Sequence, residues 1–219
     1  MELHPSISAF WNWFKTNEKR YRDIAQVVDE EQQQELLTDI LEVLNNYNPE
    51  LYLEFDYDQD TKLHKIIITA NGNEGFIDAA EQLANAAIPI DGWQIDALKQ
   101  PDSKPFTINL DGGDIESEEV LIEPVSRVDN PGRVGLKVHI PEVEKHVEDP
   151  YFTSAIYALI ETVIGEKSLA KDISLIQLSP PDETFERGNC IVLKDLPQFI
   201  LDYKTTLKED AHQNHDELK

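Results

Sequence analysis

A single cysteine in 219 residues, Cys190, excludes an intramolecular disulfide and any metal centre built from several thiolates. Basic residues are scarce too, 19 against 43 acidic, which leaves a formal charge of −24 and a pI near 4.4. Such a field repels phosphate backbones and anionic lipid heads, so direct contact with nucleic acid or membrane is not expected. No apolar run approaches the length of a bilayer span. The opening Met1-Glu2-Leu3-His4-Pro5 lacks the charged and apolar regions of a secretory signal, and the expected location is the cytoplasm. There is no GxxxxGK[ST] loop to hold phosphates, no dinucleotide fingerprint after a strand, and no serine in a nucleophile elbow. No catalytic centre and no cofactor are therefore expected from motifs.

What is present reads as a folded α+β chain. Hydrophobic residues make up 40% of it, enough for an ordinary core in one large domain or two small ones. The stretch 51–102 organises the rest. Leu51-Tyr52-Leu53-Glu54-Phe55 and Lys65-Ile66-Ile67-Ile68-Thr69 are apolar, β-prone runs joined by a polar turn. Asn71-Gly72-Asn73 ends the second strand and caps a helix with Phe76, Ile77, Ala80, Leu83, Ala84 and Ala87 at spacings of three and four. Pro89 stops that helix, Trp93 to Leu98 forms a third strand, and Pro101-Asp102 closes the unit. The same order recurs: Val120 to Pro124, a turn at Asp129-Asn130-Pro131-Gly132, Val134 to Val138, a helix over Phe152 to Ile164, the strand Ile173 to Leu178, and Pro181-Asp182. Each copy continues alike, through Phe106 and Ile108-Asn109-Leu110 in one and Phe185 and Ile191-Val192-Leu193 in the other. Two ββαβ-type units are expected, either from an internal duplication or because such elements are common.

Ahead of them, Ser6 or Ser8 caps a helix expected to reach Val28, with Ile7, Phe10, Trp11, Phe14, Tyr21, Ala25 and Val28 along one stripe. Trp13 lies on a different flank, in line with Asn17, Arg20 and Ile24. Either a neighbouring element covers it, or Trp13, Asn17 and Arg20 form a contact for a partner, since Trp and Arg are favoured interface anchors. Asp29 caps a second helix, Glu30 to about Tyr47, with Leu37, Ile40, Leu41 and Leu44 inward and Asn48-Pro49 as its stop. The two helices read as an N-terminal helical hairpin.

Phe10-Trp11-Asn12-Trp13-Phe14, Asn17-Glu18, Leu51-Tyr52-Leu53-Glu54, Ile68-Thr69-Ala70-Asn71-Gly72-Asn73, Phe76, Ala87-Ile88-Pro89 and Gly92-Trp93 together carry a resemblance. Over about its first hundred residues the chain resembles an uncharacterised family of bacterial cytoplasmic proteins that opens with a Trp-x-Trp-Phe helix. That resemblance implies no activity and transfers no catalytic residue.

Several groups invite chemistry and are weighed against plainer roles. His139, Glu142 and His146 combine imidazole and carboxylate, but Pro141 interrupts them and the i, i+4 spacing of two ligands on one helix is missing. A surface connector is the simpler account. His212 and His215, with Asp210 and Asp216, lie in a polar tail. Asp111-Gly112-Gly113-Asp114 lacks the ligand spacing of a calcium loop and reads as a turn. Glu54 and Glu123 hold equivalent places in the two units and face outward unless a cleft joins them. Cys190, in a strand with no histidine near it in sequence, reads as a small core side chain.

The expected organisation is residues 1–110 for the helical hairpin and first ββαβ unit, 111–208 for the second unit with a helix from about Leu196 to Leu207, and 209–219 as a flexible tail. The expected function is non-enzymatic binding of another protein, a basic one given the charge. Two alternatives stay open: an inhibitor of a basic nuclease or toxin, and a hydrolase or small-molecule-binding protein with a pocket between the units.

Overall fold

The structure, a computed structural model, describes residues 5–24, 29–110, 113–126, 130, 132–145, 149–178 and 187–216, with the side chains of 5, 126 and 208–216 left aside. The fold is α+β, mixed helix and sheet, in two compact units, Met1–Gln100 and Pro101–Lys219. Among the described residues no helix is long and apolar enough to cross a membrane.

In the first unit, α1 spans Pro5–Asn17 and buries Ile7, Phe10, Trp11 and Phe14, the stripe expected from their spacing. It does not reach Val28. At Asn17 the side-chain amide folds back to donate to the Trp13 carbonyl at 2.8 Å, a local bond that competes with continuing the helix. A 3₁₀ turn, Glu18–Arg20, follows and swings Glu18 inward. Ala25 and Val28 lie outside the described residues. α2, Glu30–Asn45, starts at Asp29, whose carboxylate accepts from the Glu31 and Gln32 amides at 3.0 and 3.2 Å. Its buried line is Leu36, Ile40 and Leu44, with Leu37 and Leu41 half-buried, and the buried Tyr21 hydroxyl donates to the Leu36 carbonyl at that edge.

β1, Tyr52–Tyr57, pairs antiparallel with β2, His64–Thr69; after a 3₁₀ turn and α3, Ile77–Asn85, β3, Trp93–Ala97, pairs parallel with β2. The register sets Leu53, Phe55 and Tyr57 on one face with His64, Ile66 and Ile68, and Glu54 and Asp56 on the other with Ile67 and Lys65. An aromatic core fills the inner face: Phe14 meets Trp93 edge-on at 5.0 Å and Tyr21 stacks on Phe55 at 5.6 Å. The Trp11 indole donates to the Leu83 carbonyl at 2.8 Å, fastening α1 to α3.

The second unit begins with β4, Thr107–Leu110, and β5, Gly113–Glu116, a separate antiparallel pair. Asn109 donates to Asp114 and Thr107 to Glu116 across these strands, both at 2.8 Å; of the Asp-Gly-Gly-Asp run, Asp111 and Gly112 lie outside the described residues. Ile108 to Leu110 pairs with β5, whereas its sequence counterpart, Ile191–Val192 or β9, joins the main sheet. That sheet has the order β8-β7-β6-β9, with β6 at Leu121–Ser126, β7 at Val134–His139 and β8 at Ile173–Leu178. β6 and β7 are antiparallel and β7 and β8 parallel. α4, Phe152–Ile164, lays Phe152, Ile156, Leu159, Ile160 and Val163 into the core with Ile122, Leu136 and Val138. Each such fully buried aliphatic side chain is worth roughly 1.5–3 kcal/mol. Gly165, at φ +78°, ends α4 where a side chain would be strained, and a short α5, Glu166–Asp172, follows. α6 starts at Leu196, where Pro197 is tolerated in the first turn, and runs to Asp216. Asp129, Pro131, Pro181, Asp182 and Phe185 lie outside the described residues.

Candidate functional site

Two constellations bring together residues of the kinds that bind or react. The first is built where α1 ends. Glu18 is 8% exposed, and its carboxylate accepts from the Trp93 indole at 2.8 Å and from Arg22 through Nε at 2.7 Å and a terminal nitrogen at 3.1 Å. Arg22 donates further to the Asp91 carbonyl at 3.1 Å, and its guanidinium covers Gly92, which sits at φ +79°. Burial pushes the Glu18 carboxyl upward, but the hydrogen bonds from Arg22 and Trp93 outweigh it and hold the pKa below the ordinary carboxylate value. The arrangement staples the turn after α1 to the turn before β3.

Around that staple lie Trp13, Asn17 and Arg20. Trp13 is half-buried, its ring tilted against Tyr21 at 6.1 Å. Arg20 donates to Asp39 of α2 at 2.6 Å and lies over the Tyr21 ring at 5.9 Å. Asn17 and Arg20 thus bind the fold to itself, and Arg20 lies in the 3₁₀ turn beyond α1, off the continuous helix that the spacing assumes. Tyr21 beneath them is fully buried, and burial lifts its phenol to about 12, with Arg20 opposing and Asp39 adding to the rise. Glu18 and Arg22 stand at the i, i+4 spacing of an ion pair, but their other partners, Trp93 and Asp91, lie about seventy residues away, so only the fold joins them.

The second constellation lies on the face of the β8-β7-β6-β9 sheet turned away from α4. Glu123 of β6 stands opposite Lys137 of β7, and Leu121 opposite His139. The Glu123 carboxylate lies 3.3 Å from the Lys137 ammonium and 3.3 Å from His139 Nε2, and His139 itself is buried. Cys190 precedes β9, one position beyond the Ile122–Ile191 pair, and feels the same carboxylate. Burial first, then the Glu123 charge, push its thiol above the ordinary value, Arg187 offsetting part of the rise. A thiol held protonated in this way is a poor nucleophile. Glu123, His139 and Cys190, singled out one by one in the sequence, are thus neighbours, an outcome of antiparallel pairing that spacing along the chain does not reveal.

The other candidates fall elsewhere. Glu142 occupies a left-handed turn at φ +50° and is exposed, paired with Lys145. His146 and the side chains of Asp210, His212, His215 and Asp216 lie outside the described residues. Among the described residues no group of three or more His, Cys, Asp or Glu side chains is arranged to hold a metal ion. Glu54 is exposed on the outer face of its sheet and pairs with Lys99 at 2.9 Å.

No protein-family model matches the chain, and no curated protein or solved structure matches it either.

Proposed function

We propose that the chain is a non-enzymatic binding module for a basic protein. The observation that supports this best is how the fold uses its few cations. The first unit carries 19 acidic and 7 basic residues and the second 24 and 12, a net −12 each, so the charge is a property of both units. In the first, four of the seven basic residues are engaged in internal ion pairs: Arg20 with Asp39, Arg22 with Glu18, Lys65 with Asp58, Lys99 with Glu54. Meanwhile Glu30, Glu31, Glu35 and Glu42 stand exposed along α2. In this unit most cations are paired with carboxylates of the fold while a line of anions on α2 stays exposed, which steers a basic partner toward the surface and speeds its approach.

The half-buried Trp13, beside Asn17 and Arg20, is the anchor in this reading, on the helical hairpin that α1 and α2 build. The module behind it is a pair of ββαβ units related by duplication. Their shared pairing supports this: the first strand antiparallel to the second and the third parallel to it, with Glu54 and Glu123 both in the second hydrogen-bonded pair counted from the end of the second strand. It also fits the resemblance to the bacterial cytoplasmic family with the Trp-x-Trp-Phe helix. Inhibition of a basic nuclease or toxin is the special case in which the partner is an enzyme.

The test is the association rate with small basic proteins, a basic ribonuclease among them, across ionic strength. The expected result is a rate that falls about tenfold or more between low and high salt, with Trp13→Ala speeding dissociation. A flat salt response, or affinity untouched by Trp13→Ala, overturns the reading and its contact in turn.

A further inference from the structure

Resting on the binding function just proposed, we infer that the free edge of β1 accepts an extended strand from the basic partner, adding a fourth strand to the first sheet. The bonds across the strand ends fix where each backbone group of β1 points. The Asp58 amide donates to the Leu63 carbonyl at 2.9 Å, so Asp58 and Leu63 form a hydrogen-bonded pair. Antiparallel ladders alternate, and the pairs that exchange bonds with β2 are therefore Asp56–Lys65, Glu54–Ile67 and Tyr52–Thr69. Leu53 and Phe55 turn their N–H and C=O groups the other way. The bonds from the Leu98 amide to Ile68 and from the His64 amide to Gly92 agree, since they give the even residues of β2 to β3. Among the described residues no strand pairs with that outer edge of β1.

The second unit shows what such an edge takes. There β6 gives Leu121, Glu123 and Val125 to β7, and its other edge is closed by β9: Ile122 faces Ile191, and the Leu193 amide donates to the Val120 carbonyl at 3.1 Å. Leu53 holds the place of Ile122, and Phe55 that of Pro124. Pro124 has no N–H, which limits β9 to two residues; Phe55 keeps its N–H, so β1 offers a longer ladder.

The side chains decide the occupant. Residues of an added strand opposite Leu53 and Phe55 fall on the inner, apolar face, and those opposite Glu54 and Asp56, both exposed, fall on the outer one. A second copy of this chain would set its own Glu54 and Asp56 against these, like charges directly opposite, on a body already at −24. Glu54, paired with Lys99 at 2.9 Å, and Asp56, opposite Lys65, stay exposed and still favour Lys or Arg over Glu or Asp in the added strand. The fitting segment alternates apolar and basic residues, and main-chain bonds supply its affinity while the charges supply its selectivity.

Backbone amide exchange of the full chain, followed residue by residue, tests this with the peptide Lys-Val-Lys-Val-Lys as probe. In the free chain Leu53 and Phe55 exchange fast while Glu54 is protected. The peptide is expected to slow Leu53 and Phe55 by at least about tenfold, and Glu-Val-Glu-Val-Glu to leave them unchanged. Glu54→Lys with Asp56→Lys, both on the outer face and checked for folding by tryptophan emission, reverses that preference. Fast exchange at Leu53 and Phe55 in saturating basic peptide overturns the inference, as does self-association that protects them without peptide. A basic protein that binds with salt sensitivity yet leaves both amides unprotected overturns this placement and leaves the proposed function standing.

Discussion

Replacing Glu18 with alanine probes the staple on which the N-terminal flank depends. The buried carboxylate accepts three hydrogen bonds, one from the Trp93 indole and two from Arg22. Without it the indole N–H, on a residue only 8% exposed, is left without an acceptor, at a cost of about 1–3 kcal/mol. The Arg22 side chain is 35% exposed and water takes over much of its solvation, so its lost pairing adds at most about 1 kcal/mol. The expected destabilisation is about 3 kcal/mol, a large share of the roughly 5–15 kcal/mol of a typical domain. Glu18→Gln keeps one acceptor and costs about 1 kcal/mol, since only the charge and one bond are lost. The assay is urea unfolding followed by tryptophan emission. All three tryptophans, Trp11, Trp13 and Trp93, belong to the first unit, so the signal reports that unit alone and a two-state treatment applies to it. The Glu18 carboxyl is held below its ordinary pKa in the fold, so its contribution is present above the unfolded pKa and is lost as pH falls through the folded one. The gap between wild type and Glu18→Ala should therefore narrow in acid. An Ala variant within about 0.5 kcal/mol of wild type at neutral pH, or a gap that widens in acid, refutes the staple.

Three further outcomes are expected. Asp29→Ala removes the carboxylate that caps α2 and should cost about 1 kcal/mol in the same urea assay, with Asp29→Ser restoring most of it. The Tyr21 phenol, lifted to about 12 by burial, stays protonated in the fold above its unfolded pKa. Stability of the first unit is thus fully present below that unfolded value and is lost as pH rises toward about 12; Tyr21→Phe, which also loses the bond to the Leu36 carbonyl, should remove this alkaline slope in emission-detected unfolding. Cys190, whose thiol is raised by burial and by Glu123, should label slowly with a thiol reagent at neutral pH. Glu123→Gln should speed labelling, and an unchanged rate there would remove Glu123 from the thiol's surroundings.

Most elements of the sheets were legible because their signals are local. The Ile66 to Ile68 run, the turn at Asn71-Gly72-Asn73 and the cap at Asp29 each act within a few residues, and β8 and α4 fall within their expected bounds. β5 escaped notice because Gly113, Asp114 and Glu116 are poor strand formers; its pairing is held by cross-strand bonds from Asn109 and Thr107. The end of α1 escaped because Tyr21 continues the apolar period past Asn17, so periodicity alone extends the helix. Of the candidate sites, Trp13 was set apart from the apolar stripe by its angle on a helical wheel, whereas Arg20 lies beyond the end of α1. The Glu123 cluster was not visible, since strand pairing joins residues to Glu123 that the sequence keeps fourteen and more positions from it.

The two sheets differ at the places that matter because three positions of a shared pattern carry different residues. Opposite Glu54 the first sheet has Ile67, and opposite Glu123 the second has Lys137. Glu54 accordingly reaches past its own ladder to Lys99, while Glu123 is neutralised within it. Thr69, where the second sheet has His139, accepts the Asn71 amide at 2.8 Å and closes the strand end as a turn, so no imidazole meets that carboxylate. Phe55, where the second sheet has Pro124, keeps an N–H on the outer edge and places its ring against Tyr21 and Trp93. A polar cluster with a closed edge in one unit and an aromatic core with an open edge in the other thus follow from Ile67, Thr69 and Phe55 against Lys137, His139 and Pro124, with the strand directions the same and the register shifted only between Val134 and Gly135.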